Sequence, residues 1–409
     1  MEASSEPFGR ARAFHALRHR DFRLLWSGQA VSLIGDAAFL TALAWKTFTL
    51  AGSGKLGVVL SGEGTALLAT LLIGGAVADR YERRTMIIVS DVWRCAAVAA
   101  IAGLDAAGHL GFWTLLALAA VVGLGDGFFY PAVGGIVPLV VEPPALPSAN
   151  SLMGVARWGA LLIGPSLAAG VYHSAGSASV FALEAGSFLV SAGLMLRARP
   201  RPIDTPTGEG TLREIAEGAR YVARIPWLWV TISLFGLVLM LQFAPQQVLL
   251  PKLVKEHFHR GVGAYGLLTT LLGLGTVIGT LLFGQLQPRR KRGVVSYWIW
   301  FLNSIAIAGV VLSPWYSVAG VFAVCRGILI GFGVAVWETM LMELVPQHLL
   351  SRVISLDFFG SFGLMPIGLA VSAAIANVAA PGTLIAGGAF ISAAMFLVVL
   401  TRPWLRDVD

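Results

Sequence analysis

The feature that most constrains this chain is the recurrence of apolar stretches, each long enough to form a helix that crosses a bilayer. A crossing helix needs about 20 predominantly apolar residues to span about 30 Å of hydrocarbon. Such stretches occur near 22–50, 57–78, 85–106, 111–137, 148–173 and 178–197. A second set follows near 226–250, 262–287, 294–314, 316–344, 351–377 and 380–402. Composition agrees with that count. Only 12% of the 409 residues are charged and the mean hydropathy is +0.78, whereas soluble domains carry about 25% charged residues. The 48 glycines suit helices that approach one another closely without a hydrophobic drive between them. A pI near 9.7 does not mark a nucleic-acid binder, because the arginines sit in short clusters between apolar segments. No nucleic-acid partner is expected; the lipid bilayer is. Cys95 and Cys325 lie in apolar stretches without ligand spacing and read as small buried hydrophobes.

Residues 198–225 form the one long polar stretch. It opens with Arg199-Pro200-Arg201-Pro202 and then places Leu212, Ile215, Ala219 and Val222 at helical spacing among charges. This predicts an amphipathic helix at the membrane surface. The expected organisation is therefore a six-helix bundle over 1–197, a cytoplasmic linker over 198–225 and a second six-helix bundle over 226–409. The basic residues set the orientation. With the N-terminus inside, 21 of the 29 Lys and Arg fall in inner segments and four (Lys55, Lys252, Lys255, Arg260) outside. Lys46, Arg94, Arg157 and Arg326 remain within spans. Both termini are expected to be cytoplasmic, with the N-terminus lacking the apolar core of a cleaved leader.

The halves repeat at a nearly fixed offset. Gly75 and Arg83 of GAVADRYERR align with Gly284 and Arg292 of GQLQPRRKRG at a shift of 209, and Gly123–Pro138 aligns with Gly331–Pro346 at a shift of 208. Parallel six-helix repeats imply a solute site near the membrane midplane and alternating access.

On these residues the chain resembles the major facilitator superfamily, from Asp21 to Arg402. The loop Gly75-Ala-Val-Ala-Asp79-Arg80-Tyr-Glu82-Arg83-Arg84 is similar to that family's signature between spans two and three, with Glu82 in place of the usual Gly. FRLLWSGQAVSLIGD, LPSANSLMGVARWGALLIGP and EGARYVARIP resemble its drug and siderophore (enterobactin exporter-like) efflux branch. The resemblance implies an all-α integral membrane fold of twelve helices in two pseudo-symmetric bundles. It also implies a cytoplasmic gate at Gly75, Asp79, Arg80, Arg83 and Arg84, where an anion would meet a helix N-terminus. Gly164-Pro165 in span five resembles the signature of the family's antiporters and implies export. A Gly-Pro pair inside a helix removes a backbone hydrogen bond and kinks it.

Charges within spans need a reason, since each costs about 2.5–3.5 kcal/mol at a helix centre on insertion scales. Asp36, Lys46, Glu63, Asp91, Arg94, Asp126, Arg157, Glu184, Arg326, Glu338 and Asp357 qualify. Asp36 and Asp126, near mid-membrane in spans one and four, are the proton-coupling candidates, because a desolvated carboxyl there loads and releases a proton near neutral pH. The alternative is a permanent ion pair, with Arg157 as partner. Asp91 and Arg94, three apart, read as a structural or gate pair. Arg326, Glu338, Gln242 and Gln246 are cavity or ion-pair candidates. Arg326 would meet Glu338 only across a bend, because twelve residues of helix span about 18 Å. Met240, Phe243, Gln247, Trp337, Phe358 and Phe359 add a weak aromatic and polar lining.

There is no GxxxxGK[ST], no metal-ligand spacing and no nucleophile–base pair. The expectation is a monomeric transporter rather than an enzyme, without cofactor or metal, that uses the proton gradient to export amphipathic small molecules. On the same residues an importer or uniporter, or a non-transporting sensor or scaffold, remains as the alternative.

Overall fold

A 59-residue helix would run about 88 Å at 1.5 Å per residue, nearly three times the hydrocarbon thickness, so the first helix, α1 (Arg20–Ala78), has to break. It does so at Gly52, whose φ of 83° and ψ of 172° are non-helical. A Cβ there would meet nothing within 4 Å, so the need for glycine is purely one of backbone conformation. The computed structural model describes residues 15–78, 81–201, 211–286, 290–378 and 380–408. Among them, α1 is followed by α2 (Arg83–Ala106), α3 (Phe112–Val140), α4 (Leu146–Ala175) and α5 (Ser177–Met195). The short α6 (Thr211–Arg224) precedes α7 (Pro226–Val238), a π-helical turn (Leu239–Phe243) and α8 (Ala244–Glu256). Then come α9 (Val262–Leu286), α10 (Arg292–Leu312), α11 (Tyr316–Leu344), α12 (Gln347–Phe362), α13 (Met365–Ile375) and α14 (Pro381–Leu400). Among the described residues, eleven helical runs are long and apolar enough to cross a membrane. One of them, Arg20–Leu71, carries two crossings across the Gly52 break, which restores the twelve expected. The seventh crossing is α7, the π turn and α8 in sequence; the eleventh joins α12 to α13 through Gly363-Leu364.

By its contacts the chain divides into two compact units. One comprises Met1–Ala42 with Thr65–Pro206, the other Leu43–Gly64 with Thr207–Asp409. In the first, α2 packs on α3 and α5, and α5 on α4. Small residues allow these approaches, as membrane packing requires. A Cβ on Gly28 would lie 3.2 Å from Ser191 Cα, and one on Gly164 would lie 2.5 Å from Ala37 Cβ and 2.9 Å from the Ile34 carbonyl. Pro165 is carried inside α4, which is assigned as helix from Leu146 to Ala175.

In the second unit α9 crosses α11 at glycines. Cβ atoms on Gly275 and Gly279 would run into the carbonyls of Val324 and Ile328, and those on Gly327 and Gly331 into the carbonyls of Leu272 and Thr276. Residues 43–64 pack in this unit as well. Ser61 Oγ donates to the Pro366 carbonyl at 2.8 Å, Gly57 abuts Leu369 and Ala373, and Trp45 stacks on Tyr265 with centroids 5.8 Å apart. Large apolar side chains cover the outside, including Val89, Leu281, Val321 and Val398, as a lipid-facing surface requires.

One expectation needs correction. Cys95 is half-buried and Cys325 exposed, so neither is a core residue; a thiol is apolar enough for a helix flank turned toward lipid. The linker helix α6 forms within the expected stretch 198–225 and packs on protein. Its Tyr221 and Val222 lie against a buried cluster of Leu228, Leu341, Val345, Leu349 and Val353, with Gly218 buried and Ala219 exposed.

Candidate functional site

In α2, Ile87, Ser90, Asp91, Arg94, Ala97, Val98 and Ile101 are buried, whereas Val89, Val92 and Trp93 are exposed. That is one helical face, and it carries Asp91 and Arg94 inward together. Arg94 is fully buried. Its Nη2 donates to Asp91 Oδ1 at 2.6 Å and its Nη1 to Asp126 Oδ1 at 2.8 Å. Asp36 Oδ1 lies 4.0 Å from the same Nη1. The guanidinium is sandwiched between rings, 3.8 Å from the Phe129 centroid and 4.2 Å from that of Phe188, an arrangement that suits a delocalised planar cation. Gly125 makes room for it, since a Cβ there would lie 2.7 Å from Arg94 Cγ.

A fourth carboxyl completes the group. Glu184 on α5 is fully buried. It accepts a hydrogen bond from Ser187 Oγ at 2.9 Å, with Asp36 as a neighbour. A Cβ on Gly35 would collide with this carboxylate, so glycine at 35 lets the α1 backbone come up against it. Four carboxyls from four helices thus surround one guanidinium. Asp36 is the member open to its surroundings, its side chain 32% exposed against 12% for Asp126 and none for Asp91.

The expected coupling pair, Asp36 and Asp126, therefore falls in one cluster, but its cation is Arg94. Arg157 is exposed and takes no part in it. Asp91 and Arg94, assigned by sequence to a gate, belong to this cluster too. Glu184 stood in the sequence only as one more charge within a span, and nothing local marks its neighbours.

The second unit holds a different arrangement. Arg326 on α11 is 1% exposed, with its guanidinium 4.9 Å from the Phe243 centroid. It lines a cavity of about 20 Å³ with Gln246, Leu250, Leu268, Thr269, Leu272, Val310 and Ala323. Nε and Nη2 have no hydrogen-bond partner among the described residues. Glu338 lies twelve residues on in the same unbroken helix and is exposed, so the bend that would bring it to Arg326 does not occur. Gln242 is fully buried and accepts from Ser304 Oγ at 3.1 Å, while its Nε2 has no partner. Trp337 Nε1 donates to Asp357 at 2.9 Å, and Phe358 and Phe359 are exposed.

Of the loop residues, Asp79 and Arg80 lie outside the described residues, and Gly75 is in the last turn of α1. Arg84 caps the C-terminal end of α5, and Arg83 reaches α3 five residues before its end. Arg83 Nη1 donates to the Gly135 carbonyl at 2.5 Å; Arg84 Nε and Nη2 donate to the carbonyls of Met195 at 3.1 Å and Leu196 at 2.8 Å. Cations there complement the dipoles of α3 and α5 near their C-termini.

Compared with known proteins, residues 25–362 match the profile described as the Major Facilitator Superfamily. The chain belongs to that superfamily. As a major facilitator it is a multi-pass membrane transporter. It is 24% identical to macrolide efflux protein A of Streptococcus pyogenes over 364 residues, 87% of this chain and 89% of the relative. It is 25% identical to the multidrug efflux pump Tap of Mycobacterium tuberculosis over 401 residues, covering 92% and 91%. With the enterobactin exporter EntS of Citrobacter koseri it shares 25% over 343 residues, covering 82% and 80%. Among solved structures, an inward-facing bacterial homologue of the iron transporter ferroportin aligns with a TM-score of 0.72 at 17% identity, over 94% of this chain and 99% of that one. The D-xylose-proton symporter aligns at 0.71 and 13% identity, over 93% and 96%. These two likenesses establish the major facilitator fold.

Proposed function

We propose that this major facilitator exports amphipathic small molecules, of the drug, secondary-metabolite or siderophore kind, in exchange for protons. The observation that carries the reading is the imbalance of the Arg94 cluster. Asp36, Asp91, Asp126 and Glu184 face a single guanidinium. Three uncompensated negative charges inside a membrane protein are too costly to hold at once, so the four acids hold protons between them. Asp126 and Asp91 bond directly to Arg94; Asp36 is the half-open member and serves as the port through which a proton enters and leaves. Alternating access that changes the exposure of Asp36 couples proton movement to solute movement. The outward direction is supported by the Gly164-Pro165 signature and by the efflux functions named for the macrolide, Tap and enterobactin relatives. Both termini are taken as cytoplasmic on the distribution of Lys and Arg.

The test is substrate uptake into everted vesicles under an imposed pH gradient. Asp36→Asn should abolish gradient-driven uptake while solute exchange at zero gradient continues, with the protein inserted at wild-type level. Gradient-driven transport at wild-type rate in Asp36→Asn, or wild-type transport that persists after the gradient collapses, sinks the proton-exchange reading.

A further inference from the structure

The Arg326 cavity lies wholly within the second unit and has no part in the proton chemistry proposed above. Arg326 is one of the largest fully buried side chains in the molecule. Unlike Arg94 it has no carboxylate partner: no ion pair to it occurs among the described residues. A guanidinium carries five N–H donors. Phe243 covers one face, which steadies the cation but leaves the donor edge untouched. Nε and Nη2 find no acceptor among the described residues.

The lining of the adjoining cavity is apolar apart from Arg326, Gln246 and Thr269. The Thr269 hydroxyl proton is committed to the carbonyls of Tyr265 and Gly266 in its own helix, at 3.1 and 2.8 Å. The donors left to face the cavity are those of Arg326 and the Gln246 amide. A volume of about 20 Å³ exceeds the roughly 10–15 Å³ needed for one water and fits a single small group. The π-helical turn Leu239–Phe243 ends just before this point. A π turn adds one residue to the helical register, and such turns recur at functional sites. Here its last residue is Phe243, on the guanidinium, and Gln246, on the cavity, follows in the next turn.

We infer that the Arg326 cavity is a binding site for a small monovalent anionic group, held by the free edge of the guanidinium and the Gln246 amide. A buried cation without counter-charge is expensive, and a singly charged anion of about the size of a water molecule neutralises it within this space. Two sources have that chemistry: a free halide, or an anionic substituent of the transported solute.

The experiment uses the purified full-length protein in detergent. Its thermal midpoint is measured in sodium bromide and in sodium gluconate at equal ionic strength. Bromide should raise the midpoint saturably by about 2–5 °C over gluconate, the size of shift a ligand bound only to the folded state gives. Arg326→Gln should abolish the bromide shift, and Arg326→Lys should retain part of it. Bromide that competes with acidic but not neutral transported solutes, with Arg326→Gln losing about tenfold in apparent affinity for acidic ones alone, assigns the site to the solute. Equal behaviour of both solute classes, with the bromide shift still dependent on Arg326, assigns it to a free halide. A midpoint that is the same in bromide and gluconate, together with solute affinities indifferent to Arg326→Gln, overturns the inference. The wild-type comparison needs no variant to fold, and no thermal reading depends on the direction or coupling of transport.

Discussion

Arg94→Gln removes the cation from a cluster of four acids, and its consequences can be worked from the geometry. The wild-type guanidinium makes two charge-assisted bonds, 2.6 Å to Asp91 and 2.8 Å to Asp126. Its faces rest on Phe129 and Phe188. Removing one partner of a buried pair costs about 3–5 kcal/mol, because the remaining charge is stranded. Losing the two ring contacts adds about 0.5–2 kcal/mol. Asp126→Asn alone deletes one charge-assisted bond and should cost about 1.5–3 kcal/mol. The double variant no longer strands that carboxylate, so its loss should fall short of the sum by at least about 1 kcal/mol, within the coupling expected of residues in contact. Asp36 sits 4.0 Å away with its side chain a third exposed, where a pair contributes about 0–1 kcal/mol. Its cycle with Arg94 should therefore give a coupling below about 1 kcal/mol. The assay is the midpoint of thermal unfolding in detergent, read by fluorescence-detected size exclusion. Additive losses for Arg94→Gln and Asp126→Asn, or a larger coupling through Asp36 than through Asp126, would refute the reasoning.

Two packing predictions follow. Gly327→Ala drives a Cβ into the Leu272 carbonyl and within 2.8 Å of Gly275 Cα, backbone atoms that cannot swing aside. Overpacking of this kind costs about 1–3 kcal/mol or more, read as a lower unfolding midpoint, while Gly170→Ala, which meets nothing within 4 Å, should leave the midpoint within about 1 °C as control. Gly52→Ala meets no atom either, yet forces an L-residue to φ 83°. It should cost about 1–2 kcal/mol and lower the midpoint without reducing membrane insertion, which a blot of the membrane fraction checks.

The crossings, their number and their bias of basic residues were legible in the chain because each depends on residues close in sequence. An apolar run of 20 residues is long enough wherever it folds, and Asp91 and Arg94, three apart, share a helix face by period alone. The same reasoning read the abundant glycines as packing positions, and those at 275 and 279 are where α9 meets α11. It also ruled out a contact between Arg326 and Glu338 unless the helix bent. It had no way to choose a partner for Asp126. Arg94 is 32 residues away on another helix, and Arg157 was as plausible until the rotation of each helix about its axis was fixed. Those rotations follow from which small residues meet, such as Gly35 against Glu184 and Gly125 against Arg94, and they are set jointly by all the neighbouring helices. Local pattern alone says what kind of molecule this is: a chain of twelve crossings with charges that need a reason. Which charges answer one another depends on packing in three dimensions, because a charge buried in a membrane protein meets its partner through space and not along the chain. Packing sets four acids around Arg94 and, among the described residues, no carboxylate against Arg326.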